Sequence, residues 1–98
     1  MKLLAILQTD CPTCHLMVPY LNRLASAGAN VSGLSQDPAA LTDAFIRQMQ
    51  IAFPIDLDTG YKRSVELGID TVPTLVLLDD QSGIVRRGLA RIRNFEMA

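Results

Sequence analysis

Two cysteines, Cys11 and Cys14, are the most reactive side chains in this chain of 98 residues. They stand in the sequence Cys11-Pro12-Thr13-Cys14. Positions i and i+3 in the first turn of a helix bring two Cβ atoms close enough for a disulfide. Such a pair can alternate between dithiol and disulfide, or it can bind a soft metal ion through its sulfur atoms.

The residue after the pair, His15, adds two alternatives. A zinc site needs further ligands, but the chain has no other cysteine, and His15 is its one histidine. Cys11 to His15 also has the Cys-x-x-Cys-His pattern of covalent haem attachment, for which Met17 or Met49 could supply an axial ligand. Pro12 and the strand-rich surroundings argue against haem, and a pair of buried, unreactive cysteines is the structural alternative. Dithiol redox chemistry is favoured, with no cofactor and no metal.

A strand followed by a helix is predicted to position the two cysteines. Leu3 to Leu7 is a continuous apolar run, which is typical of a strand covered on both faces. From Pro12 onward, apolar residues recur at helical spacing, and Gly28 is suited to end that helix. Cys11 then faces the unpaired N–H groups and the positive end of the helix dipole, which stabilise a thiolate. Cys14 lies one turn deeper, so it is expected to be the resolving thiol.

The rest of the chain is predicted to alternate strands with helices. Asp37-Pro38 provides an N-cap followed by proline at the first helical position, and Leu41, Phe45 and Met49 give that helix an apolar face. The alternation predicts an α/β fold with a mixed sheet, in a single domain of residues 1–98. In chain order, the predicted elements after Gly28 are a strand at 31–34, a helix at 39–50, a strand at 53–57, a helix at 59–68, strands at 72–78 and 84–87, and a final helix at 89–97.

Charge and composition exclude several classes of partner. Nine Lys and Arg residues against ten Asp and Glu give a net charge of −1, so the chain lacks the clustered cations that bind nucleic acid. No apolar run approaches the roughly 20 residues that span a bilayer. The apolar stretch that starts at Met1 is too short for a signal peptide. The chain as written is expected to be cytoplasmic, or periplasmic if a signal or anchor was removed.

These motifs resemble those of thioredoxin-fold proteins and are most similar to those of TlpA-like thiol–disulfide oxidoreductases. Pro19 lies five residues after the second cysteine, where this family kinks its first helix. The segment Gly68–Leu75 contains Val72-Pro73 and matches the family's segment around a cis-proline. The stretch from Leu34 to Tyr61 is longer than thioredoxin uses and resembles an inserted helix and strand of TlpA-like members. The resemblance implies a three-layer fold, with a central mixed sheet flanked by helices and a final helix that is short or truncated.

The resemblance also implies a role for each site residue. Cys11 would be the nucleophile that forms a mixed disulfide, which Cys14 would resolve, and the substrates would be protein disulfides or dithiols. Pro73 would be cis and lie beside the sulfur atoms, and the Val72 backbone would pair with an extended substrate segment. A redox partner is implied as well. A short final helix would leave a sheet face uncovered and favour a homodimer.

The chain departs from this family around its first cysteine. Asp10 stands where the family has tryptophan, and its carboxylate is expected to disfavour the Cys11 thiolate. His15 could stabilise the thiolate when protonated, although a role on the exposed helix face is the simpler interpretation. Together Asp10, Pro12, Thr13 and His15 are expected to tune the ionisation of the dithiol.

Two further departures concern the buried acid of thioredoxin and the threonine that precedes the reactive cysteine of peroxiredoxins. Ala5 occupies the position where thioredoxin has a buried acid; Glu66 or Asp58 could substitute, although both are more simply interpreted as solvated surface charges. A peroxiredoxin has threonine three residues before its reactive cysteine, where this chain has Gln8. Peroxidase activity is therefore a minor alternative. A thioredoxin-like module that holds a soft metal through the dithiol remains the second hypothesis.

Overall fold

The computed structural model describes residues 1–80 and the backbone of residues 84–89. It contains strands and helices in alternation, with the predicted extra helix and strand inserted between Leu34 and Tyr61. The elements are β1 Lys2–Leu7, α1 Pro12–Ser26, β2 Val31–Ser35, α2 Ala39–Met49, β3 Ile55–Leu57, α3 Lys62–Glu66, β4 Thr74–Leu78 and β5 Ile84–Leu89.

The strands form one five-stranded mixed sheet in the order β3-β2-β1-β4-β5. β1 pairs in parallel with β2, which pairs in parallel with β3. On its other side β1 pairs antiparallel with β4, which pairs antiparallel with β5. The predicted α/β class with a central mixed sheet is confirmed, and β1 is its central strand.

The apolar run of β1 is explained by its central position. Successive side chains of a strand point to opposite faces, and both faces of this strand are covered. Ala5 and Leu7 pack with α1 and with Phe45 of α2, whereas Leu4 and Ile6 pack with residues of β2 and β4. All four of these β1 side chains are buried.

The inserted helix α2 is tied to α1 by a polar side chain. Asn22 of α1 donates a hydrogen bond from Nδ2 to the carbonyl of Gln50 at 3.1 Å, and its Oδ1 accepts one from the N–H of Ala52 at 2.8 Å. Gln50 ends α2 in the left-handed conformation, with φ of 52°. Both hydrogen bonds hold the turn after α2 against the helix that begins at the cysteines.

The glycine in β2 allows β3 to approach closely. A Cβ atom at Gly33 would lie 2.9 Å from Cγ1 of Ile55 and 3.3 Å from Cε2 of Phe53, so glycine leaves room for both side chains. β3 itself has three residues, follows Pro54 and carries the exposed Asp56. It forms one edge of the sheet.

Several predicted boundaries are wrong by a few residues, for local reasons. β4 begins at Thr74 and not at Val72, since Val72 and Pro73 form a bend before the strand. β3 begins at Ile55 and not at Phe53. α3 begins at Lys62 rather than near Thr59, because Tyr61 adopts a left-handed conformation with φ of 60° that a helix cannot include.

Two further predictions, one on the apolar face of α2 and one on a final helix, need correction. On α2, Phe45 is buried but Leu41 is 54% exposed, so the apolar face of that helix is shorter than predicted. Leu89 ends β5 and does not start a helix. The rest of the predicted final helix, residues 90–98, lies outside the described residues.

Within the described part of the chain, no helix is both long enough and apolar enough to cross a bilayer.

Candidate active site

The two cysteines lie where β1 ends and α1 begins. Cys11 is the N-cap residue of α1, and its Sγ accepts a hydrogen bond from the N–H of Cys14 at 3.1 Å. A helix N-terminus offers such unpaired donors and a positive partial charge, both of which favour an anion. The sulfur of Cys11 therefore takes the place of the oxygen that usually caps a helix.

The two cysteines differ in exposure. Cys11 is half-buried, whereas Cys14 is completely buried. Burial raises the pKa of the Cys14 thiol well above its ordinary value, and the hydrogen bond and charge of Cys11 raise it further. A backbone hydrogen bond from Gln8 acts in the opposite direction. Cys11 is thus partly open to solvent, and the thiol of Cys14 is buried behind it.

The residues expected to tune the dithiol surround Cys11. Asp10 and Pro12 are exposed, and Thr13 is half-buried. Burial is the largest cause of the raised pKa of Cys14, and the negative charge of Asp10 makes a smaller contribution in the same direction.

His15 binds the loop before the cysteines instead of lying on an exposed helix face. Its Nε2 is 2.7 Å from the carbonyl oxygen of Thr9, and because a carbonyl only accepts, this nitrogen carries the proton and donates. The ring also meets Phe45 edge-on, at 4.9 Å between ring centroids. His15 therefore joins α1 to the loop and to α2.

The same loop is held from the other side by Asp37. The N–H and the hydroxyl of Thr9 both donate to Oδ2 of Asp37, at 2.6 Å and 2.8 Å. The prediction that Asp37 caps α2 is wrong: Pro38 is the N-cap residue, and no side chain caps that helix. Since β1 and β2 are parallel, their ends meet at one edge of the sheet, which brings Asp37 to Thr9.

We expect the Asp37→Ala substitution to destabilise the protein by about 1–3 kcal/mol, because it leaves two donors of Thr9 without their partner. The free energy of unfolding in urea measures this. Asp37→Asn keeps one oxygen as an acceptor and should cost less. Asp43→Ala, at an exposed position of α2, is the matched control and should change stability by less than about 0.5 kcal/mol. An equal effect of Asp37→Ala and Asp43→Ala would contradict the role of Asp37.

The segment that contains Val72 and Pro73 lies at the same end of the sheet. The peptide bond between these two residues is cis. Thr74, the first residue of β4, pairs with Ile6, so Pro73 lies near the end of β1. Pro73 is buried, and both Val72 and Cys11 pack against the apolar cluster that contains Cys14. The structure thus brings together the motif residues that the sequence singled out.

Sequence reasoning missed a chain of polar side chains beside this site. Gln8 donates from Nε2 to Oε1 of Gln36 at 2.8 Å, Gln36 donates from Nε2 to Oγ of Ser64 at 3.0 Å, and Ser64 donates from Oγ to Oδ2 of Asp58 at 2.7 Å. Asp58 is 6% exposed, so its interpretation as a solvated surface charge is wrong. Gln8, Gln36 and Ser64 line a groove of about 570 Å³ that Val72 also lines.

The carboxylate of Asp58 binds the first turn of helix α3. It accepts hydrogen bonds from the N–H groups of Arg63 and Ser64 at 3.0 Å and 2.8 Å, in addition to the hydroxyl of Ser64.

Among residues 1–80 no group of three or more His, Cys, Asp or Glu side chains is placed to bind a metal ion, so Cys11 and Cys14 have no third ligand of these types there.

Comparison with known sequences identifies relatives that are thiol–disulfide oxidoreductases. The model of the Redoxin family matches residues 1–94. The thiol–disulfide oxidoreductase ResA of Bacillus anthracis is 27% identical over 84 residues, which cover 81% of this chain and 49% of that protein. The thiol:disulfide interchange protein DsbE of Pasteurella multocida is 31% identical over 85 residues, which cover 85% of this chain and 46% of that protein. The chain therefore spans about half the length of the curated relatives it matches.

Solved structures confirm the fold. StoA of Bacillus subtilis superposes with a TM-score of 0.80 at 20% identity, over 98% of this chain and 79% of that one. The thioredoxin domain of a thiol–disulfide oxidoreductase from Bacteroides vulgatus superposes with a TM-score of 0.80 at 20% identity, over 98% of this chain and 74% of that one. At this identity the likeness concerns the fold alone, and it confirms the predicted thioredoxin-like architecture with its inserted helix and strand.

Proposed function

The chain belongs to the Redoxin family, and from that premise we propose that it is a thiol–disulfide oxidoreductase that uses Cys11 and Cys14 on protein substrates. One observation carries the proposal: a half-exposed Cys11 sulfur caps α1, with the sulfur of Cys14 buried one turn behind it. The names of ResA and DsbE support the reaction class.

The first step is attack by Cys11. Its thiolate displaces one sulfur of a substrate disulfide, so a mixed disulfide forms between Cys11 and the substrate, and the other substrate sulfur leaves as a thiolate. The donors at the N-terminus of α1 stabilise the attacking anion. Asp10, Pro12, Thr13 and His15 are proposed to tune this ionisation.

The second step is resolution by Cys14. Two contributions that raise its pKa, the hydrogen bond and the charge of Cys11, disappear once Cys11 is part of the mixed disulfide. The substrate thiolate released in the first step can accept the proton of Cys14, which then attacks Sγ of Cys11, breaks the mixed disulfide and releases the second substrate thiolate. Two electrons have passed from the protein dithiol to the substrate, and a redox partner with a dithiol would restore the reduced form.

Recognition of the substrate is proposed to involve the segment before β4. The backbone of Val72 would pair with an extended substrate segment, and Pro73 would pack beside the sulfur atoms. Both residues lie at the dithiol end of the sheet, which supports this role. The predicted homodimer depends on residues 90–98 and stays a prediction.

Reduction of insulin by dithiothreitol, followed by turbidity, tests the proposed function. The protein should accelerate the reaction, and a Cys11→Ala/Cys14→Ala variant should show only the uncatalysed rate. The copper content of the reduced protein, purified under copper(I), is measured in parallel. A protein that binds one copper ion per chain and does not accelerate insulin reduction would be a binding module, and the proposal would be wrong.

A further inference from the structure

The polar chain beside the dithiol has a fixed hydrogen-bond direction. Hydrogen bonds from Ser64 and from the backbone of Arg63 outweigh the effect of burial and keep the pKa of Asp58 low, so this carboxylate is ionised and only accepts. The hydroxyl hydrogen of Ser64 therefore points to Asp58. The oxygen of Ser64 is then left to accept from Nε2 of Gln36.

This direction determines which atom Gln8 offers to the groove. Gln36 is 8% exposed, and with its Nε2 bound to Ser64, its Oε1 accepts from Nε2 of Gln8. Within residues 1–80, no group is shown to donate a hydrogen bond to Oε1 of Gln8. Gln8 thus presents a carbonyl oxygen, an acceptor, whose orientation is held through three hydrogen bonds by the charge of Asp58.

The charge of the groove matches this acceptor. Among the residues shown to line it, Asp70 is the charged one; it is exposed, and no Lys, Arg or His lines the groove with it. Asp58 adds a negative charge behind Ser64, which the positive charge of Arg63 partly offsets. A groove with an acceptor, the exposed Asp70 and a volume of about 570 Å³ suits a long side chain that donates hydrogen bonds and carries positive charge.

Gln8 also connects the groove to the reacting sulfur atoms. Its carbonyl accepts a hydrogen bond from the N–H of Cys11 at 3.4 Å, and its backbone makes a hydrogen bond to the sulfur of Cys14. Val72, which lines the groove, packs against the same cluster as Cys11. A side chain next to a cysteine bound at Cys11 therefore lies within reach of the groove.

We propose that this groove is a specificity subsite that takes a lysine or arginine side chain next to the substrate cysteine, with Gln8 as its specificity-determining acceptor. The proposal rests on the proposed function. A substrate with a basic residue at that position forms its mixed disulfide with Cys11 faster than one with an apolar or acidic residue.

The test isolates the first chemical step in a Cys14→Ser background. Symmetric disulfides of short peptides that differ only in the residue after cysteine, which is Arg, Met or Glu, are mixed with the reduced variant. Formation of the mixed disulfide with Cys11 and release of one peptide thiol are followed by mass spectrometry. We expect the Arg peptide to react roughly fivefold faster than the Met peptide, and the Glu peptide to be slowest. The ratio of Arg to Met should persist in 0.5 M salt, which screens long-range attraction by Asp10.

Variants in the same background show whether Gln8 is responsible. Gln8→Met keeps the shape but removes the acceptor, and should bring the ratio of Arg to Met below about twofold. The matched substitution Gln48→Met, at an exposed position of α2, should leave the ratio unchanged. If Gln8→Met does not fold, Asp70→Asn at the exposed rim must lower the ratio instead.

The outcomes separate this proposal from the proposed function. If no peptide forms a mixed disulfide with Cys11, the proposed function is wrong. If all three peptides react at the same rate, or if Gln8→Met retains the preference for Arg, Cys11 is the nucleophile but the subsite is not there.

Discussion

A Cys14→Ser variant is expected to accumulate mixed disulfides with substrate proteins, whereas Cys11→Ser should lose thiol–disulfide exchange by at least about a thousandfold. The reason is the different exposure of the two sulfur atoms. Cys11 is half-buried at the start of α1, and Cys14 is buried completely behind it. Without Cys14 the first step still takes place, but the intermediate cannot be resolved from within the protein.

Intact-mass spectrometry after incubation with oxidised insulin measures both effects. The mass of Cys14→Ser should rise by that of one insulin molecule, because attack on one of its two interchain disulfides leaves the chains joined by the other, and this increase should disappear on addition of dithiothreitol. Ser26→Ala, at the exposed C-terminal end of α1, is a control that should behave as the unmodified protein. Trapping by Cys11→Ser, through Cys14, would reverse the assignment of the two roles.

Removal of Asp58 is expected to have the largest effect on stability outside the apolar core. Asp58→Ala leaves three donors without a partner: the N–H of Arg63, and the N–H and hydroxyl of Ser64. Ser64 is 1% exposed, so water does not readily replace the lost acceptor. We expect a loss of about 3 kcal/mol at pH 7, measured by urea denaturation. Asp56→Ala, an exposed acid on the adjoining strand, should cost less than about 0.5 kcal/mol.

The contribution of Asp58 should also depend on pH in a defined direction. Burial raises the pKa of this carboxyl, but the hydrogen bonds from Ser64 and Arg63 lower it more, so the net pKa lies below the ordinary value of 3.8. A carboxyl with a lowered pKa in the folded state stabilises the protein above its ordinary pKa, and this stabilisation is lost as the pH falls through the folded value. The difference in stability between the unmodified protein and Asp58→Asn should therefore be constant above about pH 5 and become smaller below about pH 4. A difference that grows on acidification would contradict the role of Asp58.

Local sequence patterns predicted the elements that hold the dithiol. The apolar run of β1, the spacing of Cys11 and Cys14, and the first-turn proline at Pro12 each involve neighbouring residues. Such patterns depend on backbone conformation over one or two turns, so they can be interpreted without the fold. The insertion of α2 and β3 was predicted differently, from the length of the stretch between Leu34 and Tyr61 and from the resemblance to TlpA-like members.

Contacts between distant polar side chains could not be predicted from the sequence. Gln8, Gln36 and Ser64 are joined by hydrogen bonds between positions 28 residues apart, and amide side chains have no periodic pattern in a sequence. Asp37 has the residue type and position of a helix cap, yet its carboxylate binds Thr9. These side chains meet only because parallel pairing of β1 and β2 places the ends of both strands at one edge, and the hydrogen-bond partner of a polar side chain is chosen by that three-dimensional arrangement.

The short edge strand β3 has a consequence for how molecules of this protein meet one another. An unprotected edge offers a row of N–H and C=O groups to which a strand from a second molecule can add, and repeated addition leads to fibres. Here the row is three residues long, is preceded by Pro54, which has no N–H to donate, and carries the negative charge of Asp56 toward solvent. An incoming strand would form few hydrogen bonds and would meet a carboxylate. The shortness of β3, Pro54 and the charge of Asp56 therefore disfavour edge-to-edge aggregation at the β3 edge of the sheet.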